Sequence, residues 1–358
     1  MKTMIYGVTG YTGRLALRTA LAAGERPVVA GRNAASVGRI ATEHGLEARA
    51  FALEDRPTAV ESLRDVDAVF SAAGPYSATA EPMVAACLEA GTHYIDVTAE
   101  NAVFERLQSM DAAARAANVM LLPGLGAGGA PTDCLAAHLK LRLPDATELE
   151  FYGGSLEVVS RGTAKSAMEA VHLPTQVRRN GRLVPLAAPI RVSTTIDGEP
   201  LDCVTVPLCD VLVAGWSSGI PNITTWVEET GAVKQMSSVP DWLKRVLATR
   251  LGQKLVKWQL DRGVEGPTDA ERAAGSYRNF AIARNAAGDA VASVARGPEG
   301  YTLTALSAFD ATRRAARGEG KAGYQTASSA FGSAFFTSLE GCRIEDIDVP
   351  EVRPRKDG

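Results

Sequence analysis

Residues 1–33 read MKTMIYGVTGYTGRLALRTALAAGERPVVAGRN, and this stretch decides the fold of the first part of the chain. Three glycines stand between an apolar run and a helical pattern, with the spacing G-x-x-G-x-x-G in place of the usual G-x-G-x-x-G. Glycine lets the backbone turn tightly and lets a pyrophosphate approach the helix N-terminus. An ordinary glycine turn is the alternative, but the position in a first βα turn favours a nucleotide site. The residues expected to bind the cofactor here are Gly7, Thr9, Gly10, Tyr11, Thr12 and Gly13.

The residue at the end of the second predicted strand indicates whether the site binds NAD or NADP. An NAD site places Asp or Glu there, about 20 residues after the loop, to bind the ribose 2′-hydroxyl. This chain has Gly31 and Arg32 instead. Arginine suits a 2′-phosphate, and no neighbouring carboxylate would repel that group. We therefore predict NADP as the cofactor, with Arg32 and Asn33 among its contacts.

A third segment, Ala73-Gly74-Pro75, follows the fourth predicted strand. Ligands of open α/β sheets lie outside the carboxyl ends of the strands, near the point where the strand order reverses. We expect this small loop to pass under the nicotinamide ribose, with a plain βα loop as the alternative.

The first 123 residues alternate between short apolar runs and helical patterns, which predicts a parallel sheet with helices on both faces. The predicted strands cover residues 4–6, 27–30, 48–53, 67–71, 93–97 and 119–122. The predicted helices cover residues 10–23, 34–44, 80–90 and 102–117. The fold class is therefore α/β, with an N-terminal Rossmann-type, doubly wound domain over residues 1–123.

The character of the sequence changes after Gly124. A glycine-rich turn and a helix over residues 132–141 precede β-type alternation at residues 149–152, 203–206 and 279–283. Residues 124–321 are predicted to form a second, mixed α/β domain for substrate binding and dimerisation. Residues 240–262 are predicted to form an amphipathic helix with a basic face, which either packs on its own domain or docks a partner.

Composition excludes several classes of protein. A length of 358 residues fits two domains, and 46% hydrophobic residues allow a large core. A net charge of −3 gives no reason to expect nucleic acid binding. No secretory signal follows Met1, and polar residues interrupt the apolar stretch 207–227, so we expect no membrane span. Five dispersed cysteines fit a cytoplasmic protein, and four dispersed histidines predict no metal site.

Several motifs together resemble the saccharopine dehydrogenase-like oxidoreductases, including the trans-acting enoyl reductase branch. They are GVTGYTG at 7–13, AGRN at 30–33, AAGPY at 72–76, CLEAGTHYIDVTAE at 87–100, LPGLGAGGAPTD at 122–133 and, more weakly, SRGTAKSAME at 160–169, EGYTLTA at 299–305 and GYQTASSAFG at 323–332. The resemblance implies a Rossmann domain, a second domain with a large mixed sheet, and NAD(P)-dependent reduction. It also implies that C-terminal helices, at about 322–345, return to the Rossmann domain.

The chain departs from this family in one loop. The family often carries phenylalanine and aspartate after the proline-glycine pair, whereas residues 125–130 here read LGAGGA; Pro131 and Asp133 remain. This difference changes the wall of the expected substrate site. The enoyl branch implies reduction of an activated C=C bond and the saccharopine branch implies reduction of C=N, in a small-molecule or carrier-bound substrate.

Hydride transfer usually requires a proton donor as well as an aligned acceptor. Tyr76 is the first candidate, because it follows the loop expected beneath the nicotinamide; aromatic packing is the alternative. Asp96, near the end of the fifth strand, either donates a proton or orients a partner, and Asp133 is a third candidate. His93 begins its strand, which favours a structural role. A segment with Arg161, Thr163 and Lys165 either binds a substrate anion or starts a helix capped by Thr163.

Two other enzyme classes are excluded. Residues 215–219 match the G-x-S-x-G of an esterase, but no histidine follows His172. No tyrosine has a lysine four residues later, so the pair typical of short-chain reductases is missing. The remaining hypotheses are an NADPH-dependent oxidoreductase, acting as a homodimer, and a non-catalytic NADP-binding sensor.

Overall fold

The computed structural model describes residues 1–153, 159–170, 173–230 and 262–355, with a few single positions between 231 and 261. The chain divides into two compact units. The first comprises Met1–Ala130 and Glu299–Glu340, and the second comprises Pro131–Pro298 and Gly341–Gly358.

The first unit is built on parallel strands separated by helices. Its strands are β1 (Thr3–Tyr6), β2 (Val28–Gly31), β3 (Ala48–Ala50), β4 (Ala68–Ser71), β5 (His93–Asp96), β6 (Met120–Leu122) and β15 (Gly323–Tyr324). Its helices are α1 (Tyr11–Ala22), α2 (Ala34–His44), α3 (Arg56–Leu63), α4 (Tyr76–Ala90), α5 (Asn101–Gln108), α6 (Asp111–Ala116), α11 (Gly300–Ala316) and α12 (Ala327–Phe331), followed by a 3₁₀ helix (Ser333–Ser338).

In the described part of the first unit, seven strands form one parallel sheet in the order β15-β6-β5-β4-β1-β2-β3. The strand order reverses between β1 and β4, which is where a Rossmann-type sheet binds its ligand. Alternate side chains face opposite layers: Val69 packs in the core with residues of α3 and α4, while Phe70 lines a small cavity with residues of α1 and α11. Helices therefore cover both faces of the sheet, as predicted.

Helix α11 lies in the first unit, although the sequence prediction placed residues 124–321 in the second domain. Tyr301 and Ala305 of α11 form a small core with Leu15 of α1, and the Tyr301 ring meets the Tyr11 ring edge-on, with centroids 5.2 Å apart. The chain thus returns to the Rossmann sheet at Glu299, earlier than the predicted residue 322. Burial of these aromatic side chains against α1 explains why α11 belongs there.

The second unit contains a mixed sheet. Its strands are β7 (Glu148–Gly153), β8 (Gln176–Arg179), β9 (Arg182–Pro185), β10 (Arg191–Ile196), β11 (Glu199–Thr205), β12 (Asn222–Glu228), β13 (Ser276–Arg284), β14 (Ala290–Pro298), β16 (Arg343–Ile347) and β17 (Arg353–Pro354). Its described helices are α7 (Ala130–Arg142), which starts at the boundary, α8 (Arg161–Ala170), α9 (Asp210–Ser218) and α10 (Asp269–Ala274).

Ten described strands make up this second sheet, and β7 lies near its centre between β12, which is parallel to it, and β13, which is antiparallel. Tyr152 stands directly opposite Trp226 on one neighbour and Phe280 on the other. The Tyr152 ring stacks on both, with centroids 4.8 Å from Trp226 and 4.7 Å from Phe280. Cross-strand aromatic stacking of this kind stabilises the register of all three strands.

Several local predictions differ from the structure. Helix α4 begins at Tyr76, before the predicted start at residue 80. The predicted helix 102–117 is two helices, α5 and α6. Helix α3 was not predicted, although Asp55 caps it by accepting a hydrogen bond from the Thr58 N–H at 3.3 Å. The predicted strand 48–53 ends at Ala50.

The predicted amphipathic helix at 240–262 lies almost entirely outside the described residues. Within the described part of the chain, no helix is long and apolar enough to span a membrane.

Substitution of Glu299 tests how α11 is held. The Glu299 carboxylate caps this helix, because Oε2 accepts hydrogen bonds from the N–H groups of Tyr301 (2.9 Å) and Thr302 (3.1 Å). We expect Glu299→Ala to lower the free energy of unfolding by about 1–2 kcal/mol, and Glu299→Gln, which keeps an acceptor oxygen, by about half as much. Urea unfolding of the two variants measures this. Equal stability of Glu299→Ala and the wild type would contradict it.

Candidate dinucleotide site

The glycine loop starts at the carboxyl end of β1 and packs closely on the end of β4. Gly7 has a φ of +85°, and its N–H donates to the Ala30 carbonyl of β2 at 2.9 Å. A Cβ at Gly7 would lie 2.9 Å from the backbone of both Ala72 and Ala73. Only glycine therefore fits here, since any side chain would be strained in φ and would also collide with backbone.

The turn into α1 leaves the helix N-terminus open. The Gly10 N–H donates to the Gly7 carbonyl at 3.0 Å, and a Cβ at Gly13 would collide with the same carbonyl oxygen. Gly10 caps α1 without a side chain, and the first turn of α1 has no acidic residue. A phosphate can therefore reach the helix dipole and the first N–H groups, and cofactor binding by the residues from Gly7 to Gly13 stays a prediction.

Neighbouring side chains hold this loop in place. The Arg14 guanidinium donates to the Thr9 carbonyl at 2.5 Å, and Tyr11 packs on Tyr301. The side chain of Thr12 is partly buried. Contacts of Thr9, Tyr11 and Thr12 with a cofactor remain predictions.

Arg32 follows β2 directly and is exposed to solvent. Among the residues that the structure describes, no carboxylate forms an ion pair with it. A guanidinium at this place offers a 2′-phosphate a bidentate partner. The Asn33 side chain has a separate role, since its Oδ1 caps α2 by accepting the Ser36 N–H at 2.9 Å. Contact of Asn33 with the cofactor therefore stays a prediction.

The loop after β4 is fixed from both sides. The Ala72 N–H donates to the Tyr6 carbonyl of β1 at 2.8 Å, and the Thr79 hydroxyl donates to the Ala73 carbonyl at 2.5 Å. Gly74 is exposed and Pro75 is half-buried. The segment Ala73–Pro75 thus lies at the carboxyl edge of the sheet, beside the glycine loop, which is where its predicted role requires it.

Tyr76 begins α4 with a buried phenol. Its hydroxyl donates to the Ser71 carbonyl at 3.2 Å, and burial raises the pKa of the phenol well above its ordinary value. These contacts supply the packing role that the sequence left open for Tyr76. Proton donation by Tyr76 stays a prediction.

Asp96 is completely buried at the end of β5 and accepts three hydrogen bonds. Oδ1 accepts the N–H groups of Thr98 (2.8 Å) and Gly124 (2.9 Å), and Oδ2 accepts the Tyr94 hydroxyl (2.6 Å). Burial raises the pKa of Asp96 to about 6, although these hydrogen bonds oppose the rise. The carboxylate therefore ties the end of β5 to the loop after β6, and its catalytic role remains a prediction.

The loop after β6 is equally constrained. Gly124 has a φ of +78°, and a Cβ there would lie 2.5 Å from the Phe104 ring. The Leu125 carbonyl accepts the Ser307 hydroxyl, and the Ala127 N–H donates to Thr304 Oγ1 at 3.0 Å. Helix α11 thus holds residues 125–130, the segment that differs from the family that the sequence motifs resemble.

Asp133 lies in the second unit, in the first turn of α7, and is completely buried. Its neighbour Thr132 donates a short hydrogen bond to Asp210 Oδ1. Burial raises the pKa of Asp210 to about 6. Burial, with a smaller contribution from the Asp210 charge, also raises the pKa of Tyr277 well above its ordinary value. Sequence reasoning missed this buried acid. Its signal was a lone carboxylate at the start of the apolar run DVLVAGW.

Three side motifs have structural explanations. His93 begins β5, and its Nδ1 accepts the Met120 N–H at 3.1 Å. Helix α8 is capped by Ser160, whose Oγ accepts the Thr163 N–H at 3.2 Å, rather than by Thr163, and Arg161 donates to the Gly263 carbonyl. The G-x-S-x-G match lies at the end of α9 rather than in a strand-turn-helix, which agrees with the exclusion of an esterase.

Substitution of Asp96 tests the stability that its three hydrogen bonds contribute and the pH dependence of that stability. Because the folded chain keeps the Asp96 proton up to pH about 6 and the unfolded chain loses it near 3.8, the stability contributed by this group falls as pH rises through that window. Asp96→Asn keeps the N–H acceptor without the titration. We expect the wild type to lose on the order of 2–3 kcal/mol relative to Asp96→Asn between these two pH values.

Denaturant unfolding at a series of pH values measures this difference, with Asp96→Ala as a second variant. Asp96→Ala removes all three hydrogen bonds and should cost about 3 kcal/mol. Parallel pH curves for the wild type and Asp96→Asn would contradict the account.

Comparisons with known proteins agree with this geometry. Residues 3–122 match the family model of the saccharopine dehydrogenase NADP binding domain. The fold resembles that of a saccharopine dehydrogenase (L-Glu forming) from Saccharomyces cerevisiae, with a TM-score of 0.64 over 97% of this chain and 100% of that one, at 11% identity.

Other solved structures share less with the chain. A nucleoside-diphosphate-sugar epimerase from Pseudomonas aeruginosa has 18% identity and a TM-score of 0.29, covering 42% of this chain and 62% of its own. A search of the curated proteins finds no match.

The match over residues 3–122 confirms the resemblance that the sequence motifs predicted, and it confirms NADP as the cofactor. Residues 3–122 therefore form a saccharopine dehydrogenase-type NADP-binding domain, and the protein is an NADP-dependent oxidoreductase.

Proposed function

We propose that the protein transfers a hydride from NADPH to an activated C=N bond of a small-molecule or carrier-bound substrate. The preference for NADPH rests on Arg32. This residue is exposed directly after β2, and no carboxylate among the described residues forms an ion pair with it. The N-terminus of α1 has no side-chain cap, and this supports binding of the cofactor with its pyrophosphate on the glycine loop and its 2′-phosphate near Arg32.

The buried acids favour C=N over C=C. Tyr76, Asp96 and Asp133 are all buried, and the first two are engaged by hydrogen bonds inside the first unit. A protonated imine accepts hydride at carbon and then needs no further proton at nitrogen. An enoyl group needs a proton at the carbon next to its carbonyl, and this requires an acid within reach of the substrate. Reduction of C=C is the alternative that the test below separates.

We also propose that the protein acts as a homodimer in the cytoplasm. Three large apolar side chains of the second unit, Leu173, Val184 and Ile190, are 38–52% exposed, and their burial against a second copy would stabilise a dimer. All five cysteines lie in the described part of the chain, and no disulfide joins any of them there. Sedimentation equilibrium of the purified chain measures its oligomeric state, and a monomer would contradict the dimer.

A cofactor titration tests the role of Arg32. We expect Arg32→Ala to raise the Kd for NADPH by about 10–100-fold and to leave the Kd for NADH unchanged, because only NADPH carries the 2′-phosphate. Arg39→Ala, an exposed arginine of α2, is the matched control and should change neither constant. Fluorescence quenching gives all six constants. Tighter binding of NADH than NADPH by the wild type would contradict the proposal.

A substrate panel tests the reaction. Oxidation of NADPH is followed by absorbance with cyclic imines, with amine and keto-acid pairs that form imines in solution, and with enoyl thioesters of pantetheine. Turnover of imines supports the proposal. Turnover of enoyl thioesters alone would replace it with C=C reduction, and tight NADPH binding without turnover of any compound would favour the sensor.

A further inference from the structure

Glu100 caps a helix that lies far from it in sequence. It follows the loop after β5 and directly precedes α5. Its Oε1 accepts the Tyr76 N–H at 3.1 Å and its Oε2 accepts the Ser77 N–H at 2.8 Å. Pro75, which precedes α4, offers no side-chain cap. The carboxylate of Glu100 therefore satisfies the N-terminus of α4 and balances the positive end of its dipole.

Helices α1 and α4, which follow the neighbouring strands β1 and β4, consequently differ in how their N-termini are capped. Helix α1 follows β1 with no side-chain cap and no acidic residue in its first turn. Helix α4 follows β4, the neighbour of β1 in the sheet, and its first N–H groups already bind a carboxylate. An approaching phosphate is therefore attracted to α1 and repelled from α4.

A chain of hydrogen bonds sets the position of Glu100 itself. The Glu100 N–H donates to Thr98 Oγ1 at 3.1 Å, and the Thr98 N–H donates to Asp96 Oδ1 at 2.8 Å. Asp96 is completely buried and Thr98 is buried. The loops after β4, β5 and β6 are thereby joined through two carboxylates, which leaves the segment before α4 little freedom.

We propose that Glu100 is a positioning residue for the nicotinamide half of NADP. By fixing the first turn of α4, Glu100 sets the position of the preceding backbone from Ala73 to Pro75. The nicotinamide ribose is expected to lie against this segment. This proposal rests on the proposed role of that segment beneath the nicotinamide. In this role Glu100 acts through the Tyr76 and Ser77 N–H groups and not by proton transfer.

The test compares the Kd of the whole cofactor with the Kd of its adenine half, which Glu100 is not expected to position. NADPH contains both halves, whereas adenosine 2′,5′-bisphosphate contains only the adenine half. Glu100→Ala removes both hydrogen bonds to the first turn of α4. We expect it to raise the Kd for NADPH by about tenfold and to leave the Kd for the bisphosphate unchanged. Glu100→Gln, which keeps one acceptor oxygen, should show a smaller rise.

Glu105→Ala is the matched control, because Glu105 is an exposed glutamate on α5. Isothermal titration measures the constants, and the emission of bound NADPH reports the surroundings of its nicotinamide ring, which should shift in Glu100→Ala and not in Glu105→Ala. Glu100→Gln serves as the test variant if Glu100→Ala does not fold.

Two results would overturn the proposal. Equal weakening of both ligands would show that Glu100 only stabilises the fold, and unchanged NADPH binding and emission would show that it does not act on the cofactor. Neither assay needs a substrate. A substrate panel without turnover would therefore contradict the proposed reaction and leave the role of Glu100 to be decided by these binding constants.

Discussion

The carboxylate of Asp96 is the interaction on which the edge of the first sheet depends. It lies where β5 ends, completely buried, and binds the Tyr94 hydroxyl and the backbone of Thr98 and Gly124. Burying a carboxylate is costly, so the fold keeps it only because three donors satisfy it. These hydrogen bonds join the loops after β5 and β6. Thr98 also accepts the Glu100 N–H, and this links the same loops to the residue that caps α4.

The loops at the carboxyl edge of the first sheet surround the candidate dinucleotide site. Its preference for NADP is expected from groups near the site that have no acidic partner in the described part of the chain. Gly7 lets the loop after β1 lie against the backbone of Ala72 and Ala73, which a Cβ would prevent. The N-terminus of α1 is free of acidic residues in its first turn, and Arg32 stands beside the end of β2. A dinucleotide with a 2′-phosphate matches this pattern of positive groups, and the match of residues 3–122 to an NADP-binding domain agrees with it.

The sequence was sufficient to predict the Rossmann-type sheet, because its signals are local: apolar runs, helical periodicity, and glycines after the first strand. It was also sufficient for the cofactor, since the type of residue after β2 selects it. The roles of Glu100 and Asp210 could not be predicted, because each depends on a partner far away in sequence, at Tyr76 and at Thr132. The position of α11 escaped prediction for the same reason, since only its packing on α1 assigns it to the first unit.

The most direct test of the central claim is a crystal structure of the protein with NADP⁺. The account predicts the pyrophosphate at the N-terminus of α1, over the loop from Gly7 to Gly13, and the 2′-phosphate within hydrogen-bonding distance of the Arg32 guanidinium. It also predicts the nicotinamide ribose against the backbone from Ala73 to Pro75. A pyrophosphate bound at any other helix, or a 2′-phosphate that contacts solvent and not Arg32, would contradict it.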